Sequence, residues 1–508
     1  MTATDLLLSE RDRALARRMR KVGLVAAPVL LVGVWALAPD NMNPQAARLM
    51  ALIIATMVLW TTRALPLPAT ALLAPALGVA MDIAPAKAMF APFAHPLIYL
   101  FVGAFLMAMA AERTRLDRRM AAWLFPVGRR TPRRMVITVS SVTALLSGFF
   151  SNSATTAMMV PVVRAAVDKQ STRFEQVSLL NLAYAASIGG VITPIGTPPN
   201  LIAIATLLQY GGSEVPFLHW MIIGLPLAVT MLALWYLLLI RFAARDLIDT
   251  PTAAEARPAV MTTALRLKEV RPVIWGLDRD QLAVLAVIGL AAFAWMLPGA
   301  LALAVGTDSP IYKGYKTHLP EGVIALICAT MLFVIPSRLM RGGDGGSRPV
   351  LEWAEATQID WGTIVLFGGG LALGQQAFDT GLSQYVGNAI VRATGVQSEW
   401  GLVFLFSTTT LFFTELVSNT ATAAILCPLA VMTAQQLGLS PVAPCIATAL
   451  AASMAFLMPI STPPNAIVFG TGRVPLTAML RWGIVLDLLG VALIPPAVIF
   501  GTRLAGLV

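Results

Sequence analysis

Four short polar runs interrupt apolar stretches of this 508-residue chain, and they are of two kinds. Ser151-Asn152-Ser153 and Ser418-Asn419-Thr420 each divide one apolar run. Thr193-Pro194-Ile195-Gly196-Thr197-Pro198-Pro199-Asn200 and Ser461-Thr462-Pro463-Pro464-Asn465 each divide another. Asn, Ser and Thr carry amide and hydroxyl groups that donate to a carboxylate or accept a hard cation. The Pro-Pro pairs and Gly196 free carbonyls that no amide one turn on can claim. Where a helix starts at such a break, its N-terminus favours an anion, while unwound carbonyls suit sodium. The chemistry implied is binding of ions of both signs by neutral ligands. A lone intramembrane Asn more often joins neighbouring helices. Two kinds of break, each occurring twice at matched spacing, favour ligand binding instead.

The elements that position these runs are membrane helices. Hydrophobic residues make up 57% of the chain and charged ones 12%, about half the charged fraction of a soluble domain. Mean hydropathy is +0.76. Residues 23–37 with their flanks, 218–240, 281–297 and 322–335 meet or approach the roughly 20 apolar residues that cross hydrocarbon. The net charge of +10 lies in clusters between apolar runs, at 11–21, 113–134 and 266–279. Short Lys/Arg-rich loops mark the cytoplasmic side, so this charge orients the chain and does not point to nucleic acid. A basic head followed by an apolar run superficially resembles a signal peptide, but the many later spans favour an uncleaved first helix. Hydropathy and loop charge together predict an all-α polytopic membrane protein of about eleven transmembrane helices. The first four lie near 22–38, 48–63, 67–82 and 96–112, with the N-terminus cytoplasmic.

After the fourth span the arms shorten. Residues 135–150 and 154–166 flank Ser151-Asn152-Ser153, each arm being roughly 20–24 Å of helix against a ~30 Å core. Such a pair predicts a re-entrant hairpin buried in protein or lining a wet cavity. Residues 177–208 predict two half-helices joined by an unwound linker, and a sixth span follows near 217–240. The second half repeats the order, with a hairpin over 401–435 and a broken span over 442–470. Phe101 and Phe367, Asn152 and Asn419, and Asn200 and Asn465 are 266, 267 and 265 residues apart. That constancy marks an internal repeat. Five crossings separate the fourth span from its copy, the ninth, so the repeats are inverted, and paired broken helices in inverted halves point to a midplane transport site. The domain organisation expected is a basic cytoplasmic N-terminus (1–21), scaffold helices (22–92) and a first inverted repeat (93–242, hairpin 132–166). A cytoplasmic segment with the seventh and eighth spans (243–358) precedes the second repeat (359–508, hairpin 401–435). Amphipathic stretches near 115–128 and 380–394 are candidates to lie in the interface.

Other residues yield less. Gly368, Gly369 and Gly370 suit close helix packing. Glu415, four residues before Asn419, and Asp487 in the last span are intramembrane acids without counterparts in the first repeat, where Gly148 aligns with Glu415. Glu415 is expected to be structural, hydrogen-bonded within the hairpin or to a basic partner. Cys328, Cys427 and Cys445 lie in or beside apolar runs as core filler, and His95, His219 and His318 stand apart near span ends. Walker A, HExxH and GxSxG sequences are absent, so no enzyme or ATP-driven pump is implied.

The tip sequences 151–161 and 414–421 resemble the paired Ser-Asn-Thr tips of the divalent anion/sodium symporter family. Residues 452–468, Ala-Ser-Met-Ala-Phe-Leu-Met-Pro-Ile-Ser-Thr-Pro-Pro-Asn-Ala-Ile-Val, resemble that family's long signature, and 188–200 resemble its partner in the first repeat. The resemblance spans roughly 45–505. It implies two re-entrant hairpins, a homodimer, elevator-type alternating access and one sodium site per repeat. The first would use Ser147, Ser151, Asn152 and the Gly196 carbonyl. The second would use Thr414, the Val417 carbonyl, Asn419 and the Ser461 carbonyl. The anion would touch Asn152, Ser153, Thr197, Asn419, Thr420 and Thr462. Ser153 departs from the family pattern, which has Thr; it keeps the hydroxyl and loses a methyl group.

These observations imply sodium-coupled symport of a divalent anion such as succinate, a C4 dicarboxylate, in a bacterial inner membrane. No organic cofactor is implied. Sodium-independent exchange, or carriage of sulfate or a tricarboxylate, are the alternatives within the family, and sodium dependence of uptake separates symport from exchange. A channel also uses re-entrant segments, but inverted repeats with broken helices fit alternating access better.

Overall fold

A computed structural model describes residues 10–40, 42–116, 119, 132–167, 172–239, 277–306, 308–341, 347–459 and 461–507. Most of the basic stretch 113–134, the amphipathic stretch expected near 115–128 and nearly all of 241–280 lie outside the described residues.

The described chain is a helical membrane protein with little strand. Its opening helices are α1 (Glu10–Ala36), α2 (Pro44–Thr62), α3 (Leu67–Ala80), the short α4 (Ala86–Phe90) and α5 (Pro96–Arg113). Local chemistry sets their ends. Asn43 Oδ1 accepts from Gln45 N–H at 3.0 Å, Pro44 takes the first helical position, and Arg63 turns left-handed at φ 48° to close α2. Pro at the first position loses no hydrogen bond, because that N–H is free in any helix. Six helices in the described chain are long and apolar enough to cross a membrane, and shorter apolar helices accompany them. Val25, Val29, Phe293 and Phe500 are among the large apolar side chains that face outward, as a lipid solvent permits.

The first hairpin is α6 (Pro132–Ser147) and α7 (Asn152–Val167), and the first broken span is α8 (Thr172–Gly190) and α9 (Pro198–Thr206). There follow α10 (Phe217–Leu238), α11 (Arg279–Val305), the polar α12 (Pro310–His318) and α13 (Glu321–Met331). A two-stranded ribbon, β1 (Pro336–Arg341) and β2 (Ser347–Pro349), is an element that hydropathy does not announce. Then come α14 (Trp353–Ala356), α15 (Trp361–Asp379) and the amphipathic α16 (Leu382–Thr394), which falls on the stretch expected near 380–394. The second hairpin is α17 (Glu399–Thr414) and α18 (Asn419–Gln436), the second broken span α19 (Val442–Ala452) and α20 (Pro463–Gly470), and α21 (Leu476–Leu504) closes the described chain.

Two counterparts of the sequence repeat meet: the Phe101 and Phe367 rings pack with centroids 5.1 Å apart and planes tilted by 57°. Gly103 and Gly369 serve equivalent close approaches. A methyl on Gly103 would sit 2.6 Å from the Ala325 backbone of α13, and one on Gly369 2.5 Å from the Ala71 carbonyl of α3. Gly368 and Gly370 are equally tight, against the Phe93 ring and the Ala424 side chain, so the glycine run serves packing.

The half-helices α8 and α19 form the centre. Every residue of α19 is buried, and α6 packs on α8 as α17 packs on α19. The half-helices α9 and α20 instead cross to the other repeat, α9 packing on α18 and α20 on α7. The unwound linkers are therefore enclosed by protein, the condition under which non-helical backbone is tolerated at membrane depth.

Candidate functional site

Each hairpin's first arm ends on a hydroxyl residue, and its second arm begins on an Asn. In the first repeat, Ser147 Oγ lies 2.5 Å from Asn152 Oδ1 and 2.7 Å from the Ala186 carbonyl. In the second, Thr414 Oγ1 lies 3.0 Å from Asn419 Oδ1 and 2.9 Å from the Ala452 carbonyl. Ser147 and Thr414 are completely buried. A hydroxyl has one proton and can satisfy only one of its two acceptors at a time. Each cluster thus gathers three oxygens around one donor, an excess of lone pairs that a cation would neutralise.

The linkers complete these clusters by the same device in both repeats. Asn200 Nδ2 donates to the Gly190 and Thr193 carbonyls at 3.0 and 2.8 Å. Asn465 Nδ2 donates to the Ala455 and Met458 carbonyls at 3.3 and 3.1 Å. Each side-chain amide takes the place of the backbone donors that the prolines remove. Gly196 is buried among carbonyls: a methyl there would meet Gly190 O at 2.5 Å and Gly148 O at 3.0 Å. A methyl on Gly190 would strike the Asn152 amide at 2.7 Å, so tip and linker leave no spare space between them. Thr193 Oγ1 donates to the Gly148 carbonyl, and Ser461 Oγ to the Met458 carbonyl at 2.7 Å.

The donor set suits sodium on an independent observation. Buried oxygens without a hydrogen-bond partner recur at equivalent positions: Thr143 and Thr410, Thr155 and Thr422, and the Oδ1 atoms of Asn200 and Asn465. An unsatisfied buried acceptor costs about 1–3 kcal/mol. The same deficit at three repeat-related pairs is therefore a feature of the design, and an oxygen-seeking cation or ordered water relieves it. Residue types alone did not single out these atoms. The 267-residue repeat would have shown the threonine pairs, Thr143 and Thr410 one turn before Ser147 and Thr414, and Thr155 and Thr422 three residues after Asn152 and Asn419.

The structure brings Ser147, Asn152 and Gly196 into one cluster and Thr414 and Asn419 into another, with Ser461 in the adjoining linker. Ser151 is exposed at the first tip. Val417 is buried beside the second. Of the candidate anion ligands, Asn152, Ser153, Asn419 and Thr420 are half-buried at the tips. Thr197 and Thr462 are buried at the N-terminal cap positions of α9 and α20, where Thr462 Oγ1 accepts from Asn465 N–H at 3.4 Å and the Thr197 side chain makes no capping bond. Four helix N-termini, those of α7, α9, α18 and α20, thus carry the polar runs and a partial positive charge; α9 and α20 start on Pro-Pro pairs, so their first two positions offer no N–H. None of these runs contains a Lys or Arg, so negative charge there must be met by helix ends, hydroxyls, amides and any bound cation.

One expectation is corrected. Among the described residues, Glu415 bonds neither within its hairpin nor to a basic group; its partners are amides of the second linker. Its Oε1 accepts from the Phe456 and Leu457 N–H groups at 2.6 and 3.0 Å, and its Oε2 from Met458 N–H at 3.0 Å. The helix α19 stops at Ala452, leaving the linker amides that follow without helical acceptors, and a carboxylate can take several at once.

Three comparisons bear on this geometry. Residues 18–505 match the family described as the sodium:sulfate symporter transmembrane region. The chain is 29% identical over 492 residues to a sodium-dependent dicarboxylate transporter, SdcS, of Staphylococcus saprophyticus, covering 94% of this chain and 91% of that protein. The Staphylococcus aureus counterpart is 28% identical over 489 residues, covering 93% and 89%. Among solved structures, the chain is similar to MtrF of Neisseria gonorrhoeae at a TM-score of 0.55 and 12% identity, over 94% of each chain. It is also similar to the YdaH transporter of Alcanivorax borkumensis at 0.52 and 16%, over 84% of this chain and 90% of that one. At such identities the structural likeness concerns the fold alone.

Proposed function

The chain belongs to the sodium:sulfate symporter family, and from that premise we propose that it is a sodium-coupled symporter of divalent anions, with C4 dicarboxylates such as succinate as its substrates. The observation that carries this is the paired cluster at the hairpin tips, Ser147 with Asn152 and Thr414 with Asn419, each holding more oxygens than protons. A sodium ion at each would use Ser147, Ser151, Asn152 and Gly196 in the first repeat and Thr414, Val417, Asn419 and Ser461 in the second. The dicarboxylate would then lie between the tips, against Asn152, Ser153, Thr197, Asn419, Thr420 and Thr462. Its two charges would face the N-termini of helices from both repeats and the bound cations, which is why no basic side chain is required. The names of the staphylococcal relatives, sodium-dependent dicarboxylate transporters, support the same substrates.

The proposal extends to an elevator movement in which both hairpins, the broken spans, α10 and α21 carry the site past a scaffold of the remaining spans, in a homodimer. The protein would lie in the bacterial inner membrane with its N-terminus in the cytoplasm. The test is uptake of radiolabelled succinate into proteoliposomes, with an inward sodium gradient or with choline replacing sodium. Uptake only with sodium is expected. Sodium-independent uptake that requires internal dicarboxylate would replace symport by exchange and remove both cation assignments.

A further inference from the structure

The two hairpins sit differently against the spans they face. Ala424 and Pro428 of α18 are buried, and α15 packs on α18 so closely that a methyl on Gly370 would lie 2.7 Å from Ala424 Cβ. Their counterparts in α7, 267 residues earlier, are Ala157 and Pro161, and both are exposed. The counterpart of Gly370 is Ala104 of α5, which lines a cavity with Met107, Ala108, Phe149, Phe150 and Trp295. The second hairpin is thus seated on its span, and the first stands off from its own. The gap lies on the side from which the first hairpin enters, which is cytoplasmic in the orientation proposed above.

One short segment fastens the seated side. Residues 207–217 join α9 to α10, two helices of the proposed carrier, and must move with them. After α9 the chain widens into a π turn over Leu207–Gly211, a form that recurs at functional sites. The turn is held to the carrier, because Gln435 Nε2 of α18 donates to the Tyr210 carbonyl at 2.7 Å. Its side chains reach the scaffold. Tyr210 Oη donates to the Leu371 carbonyl of α15 at 2.6 Å, and its ring stacks on Phe378 with centroids 4.6 Å apart. Gln209 Nε2 donates to Gln375 Oε1 at 2.7 Å. Further on, Glu214 pairs with Lys316 of α12, and the Phe217 N–H donates to Glu321 Oε1 of α13 at 3.3 Å. The equivalent turn of the second repeat, 471–475, is fastened to the carrier itself. Arg473 there pairs with Glu175 of α8 at 3.7 Å, and α20 packs on α7 and α8.

We propose that residues 207–217 are a clasp, which holds the carrier against the scaffold while the site is open toward the cytoplasm and releases it each time it moves outward. Hydrogen bonds fail within about 1 Å of stretching, so a slide of α9 along α15 breaks the Tyr210 and Gln209 contacts together. A contact made in only one of two positions biases the equilibrium toward that position by its own strength. The inference rests on the carrier movement proposed above, and it holds whether sodium or a second anion drives that movement.

The reporter is a cysteine pair at one end of the clasp, Glu214→Cys with Lys316→Cys, bridged by a short hydrophilic bis-methanethiosulfonate. Cys328, Cys427 and Cys445 are buried, so the reagent finds the introduced pair. Complete bridging before reconstitution should stop uptake of radiolabelled succinate into proteoliposomes, and reduction should restore it. The perturbations lie at the other end: Tyr210→Phe, which keeps the ring and removes the hydroxyl, and separately Gln209→Ala. Each should slow bridging of the pair, because the clasped position is less populated. In intact cells at saturating sodium, half-saturating external succinate should fall, since apparent affinity scales with the fraction of carrier that faces outward. Loss of one neutral hydrogen bond shifts such an equilibrium by about two- to tenfold, which bounds the fall. Damage to the fold alone would not tighten binding from one side. Unchanged bridging, with half-saturating succinate unchanged or raised in both variants, would overturn the clasp and leave the carrier movement in place. Full uptake by completely bridged protein would overturn the movement itself and the clasp with it. Bridging needs no substrate, so it decides the clasp even where succinate is not the anion carried.

Discussion

Replacing Thr414 by Val separates the proposed cation ligand from its surroundings with little change of shape. Val keeps the branched side chain and exchanges the hydroxyl for a methyl group. In the cation-free protein, the change removes the one donor shared by Asn419 Oδ1 at 3.0 Å and the Ala452 carbonyl at 2.9 Å. One such hydrogen bond contributes about 0.5–1.5 kcal/mol, and the acceptors left buried raise the loss to about 1–3 kcal/mol. With sodium bound, the loss is of an oxygen held against a charge. A charge-assisted hydrogen bond, worth about 1.5–3 kcal/mol, bounds that contact, which corresponds to roughly 10- to 150-fold in affinity. The cation effect is therefore at least as large as the effect on the fold, and it has its own signature.

That signature is in linkage. Sodium at 100 times its dissociation constant stabilises the folded protein by about 2.7 kcal/mol, and at ten times by about 1.4 kcal/mol. A tenfold weaker site in Thr414→Val should therefore halve the sodium-induced stabilisation at a fixed, high sodium concentration. Thermal unfolding of the purified protein with and without sodium measures this directly. Proteoliposome uptake should show the matching rise in half-saturating sodium, with succinate affinity largely restored when sodium is raised to compensate. Lower stability without sodium, combined with an unchanged increment on adding it, would refute the assignment and leave Thr414 as a buried hydrogen-bonding residue only.

Other predictions follow from the same geometry. Asn152→Ala and Asn419→Ala should each abolish succinate uptake while folded protein still reaches the membrane, as size-exclusion profiles and surface yield would show; normal transport by either variant would remove the tip assignment. Gly196→Ala brings a methyl within 2.5 Å of the Gly190 carbonyl and 3.0 Å of Gly148 O, so the linker must shift, and sodium-induced thermal stabilisation should be lost even where the fold survives. Gly483→Ala meets only backbone, at 2.5–2.7 Å, and should lower stability by about 1–3 kcal/mol on a thermal or denaturant scale. Ser153→Thr adds one methyl at the first tip; it should preserve sodium activation and shift the ratio of succinate to citrate uptake by about tenfold or less, and a change in half-saturating sodium would place Ser153 on the cation instead.

Much of the fold was legible because the membrane makes length and polarity decisive. Arms too short to cross, split by Ser-Asn-Ser or Ser-Asn-Thr, have few solutions besides a hairpin, and α6–α7 and α17–α18 fall where those arms lie. Helix ends differ by a few residues from the apolar arms 135–150 and 154–166; the hairpin starts at Pro132, in keeping with the bounds 132–166, while its first arm stops at Ser147 and its second starts at Asn152. The β1–β2 ribbon was not legible, being held in part by a distant side chain: Ser337 Oγ donates to Asp280 Oδ2 at 2.5 Å, 57 residues away along the chain. The distorted turn Leu207–Gly211 after α9 was hidden for the same reason. Tyr210 there donates to the Leu371 carbonyl at 2.6 Å and stacks on Phe378, contacts that no local pattern encodes. At the site, residue types and the repeat identified the tips and linkers. They could not reveal the partner of Glu415, because that partner is three backbone amides some forty residues away.

The arrangement also explains how neutral residues would couple a cation to an anion. On the proposed assignment, Asn152 and Asn419 serve both ions, the amide oxygen facing sodium and the amide nitrogen remaining for a carboxylate. Without sodium, Ser147 and Thr414 occupy those amide oxygens, and nothing compels the NH2 groups toward the space between the tips. A cation drawn to the oxygen fixes the amide and adds positive charge beside helix N-termini that already favour the anion. Sodium would then raise the affinity for the dicarboxylate, and the dicarboxylate must raise that for sodium by the same factor. Because α9 packs on α18 and α20 on α7, each linker also rests on the other repeat's hairpin. An ion that orders one tip consequently braces the half-helix of the other repeat. The two sites need not respond equally, however: the second linker is already tied by Glu415, while the first relies on neutral donors alone. Less ordering is left for a cation to complete at the second site, so the first site is where sodium should produce the larger loss of backbone exchange.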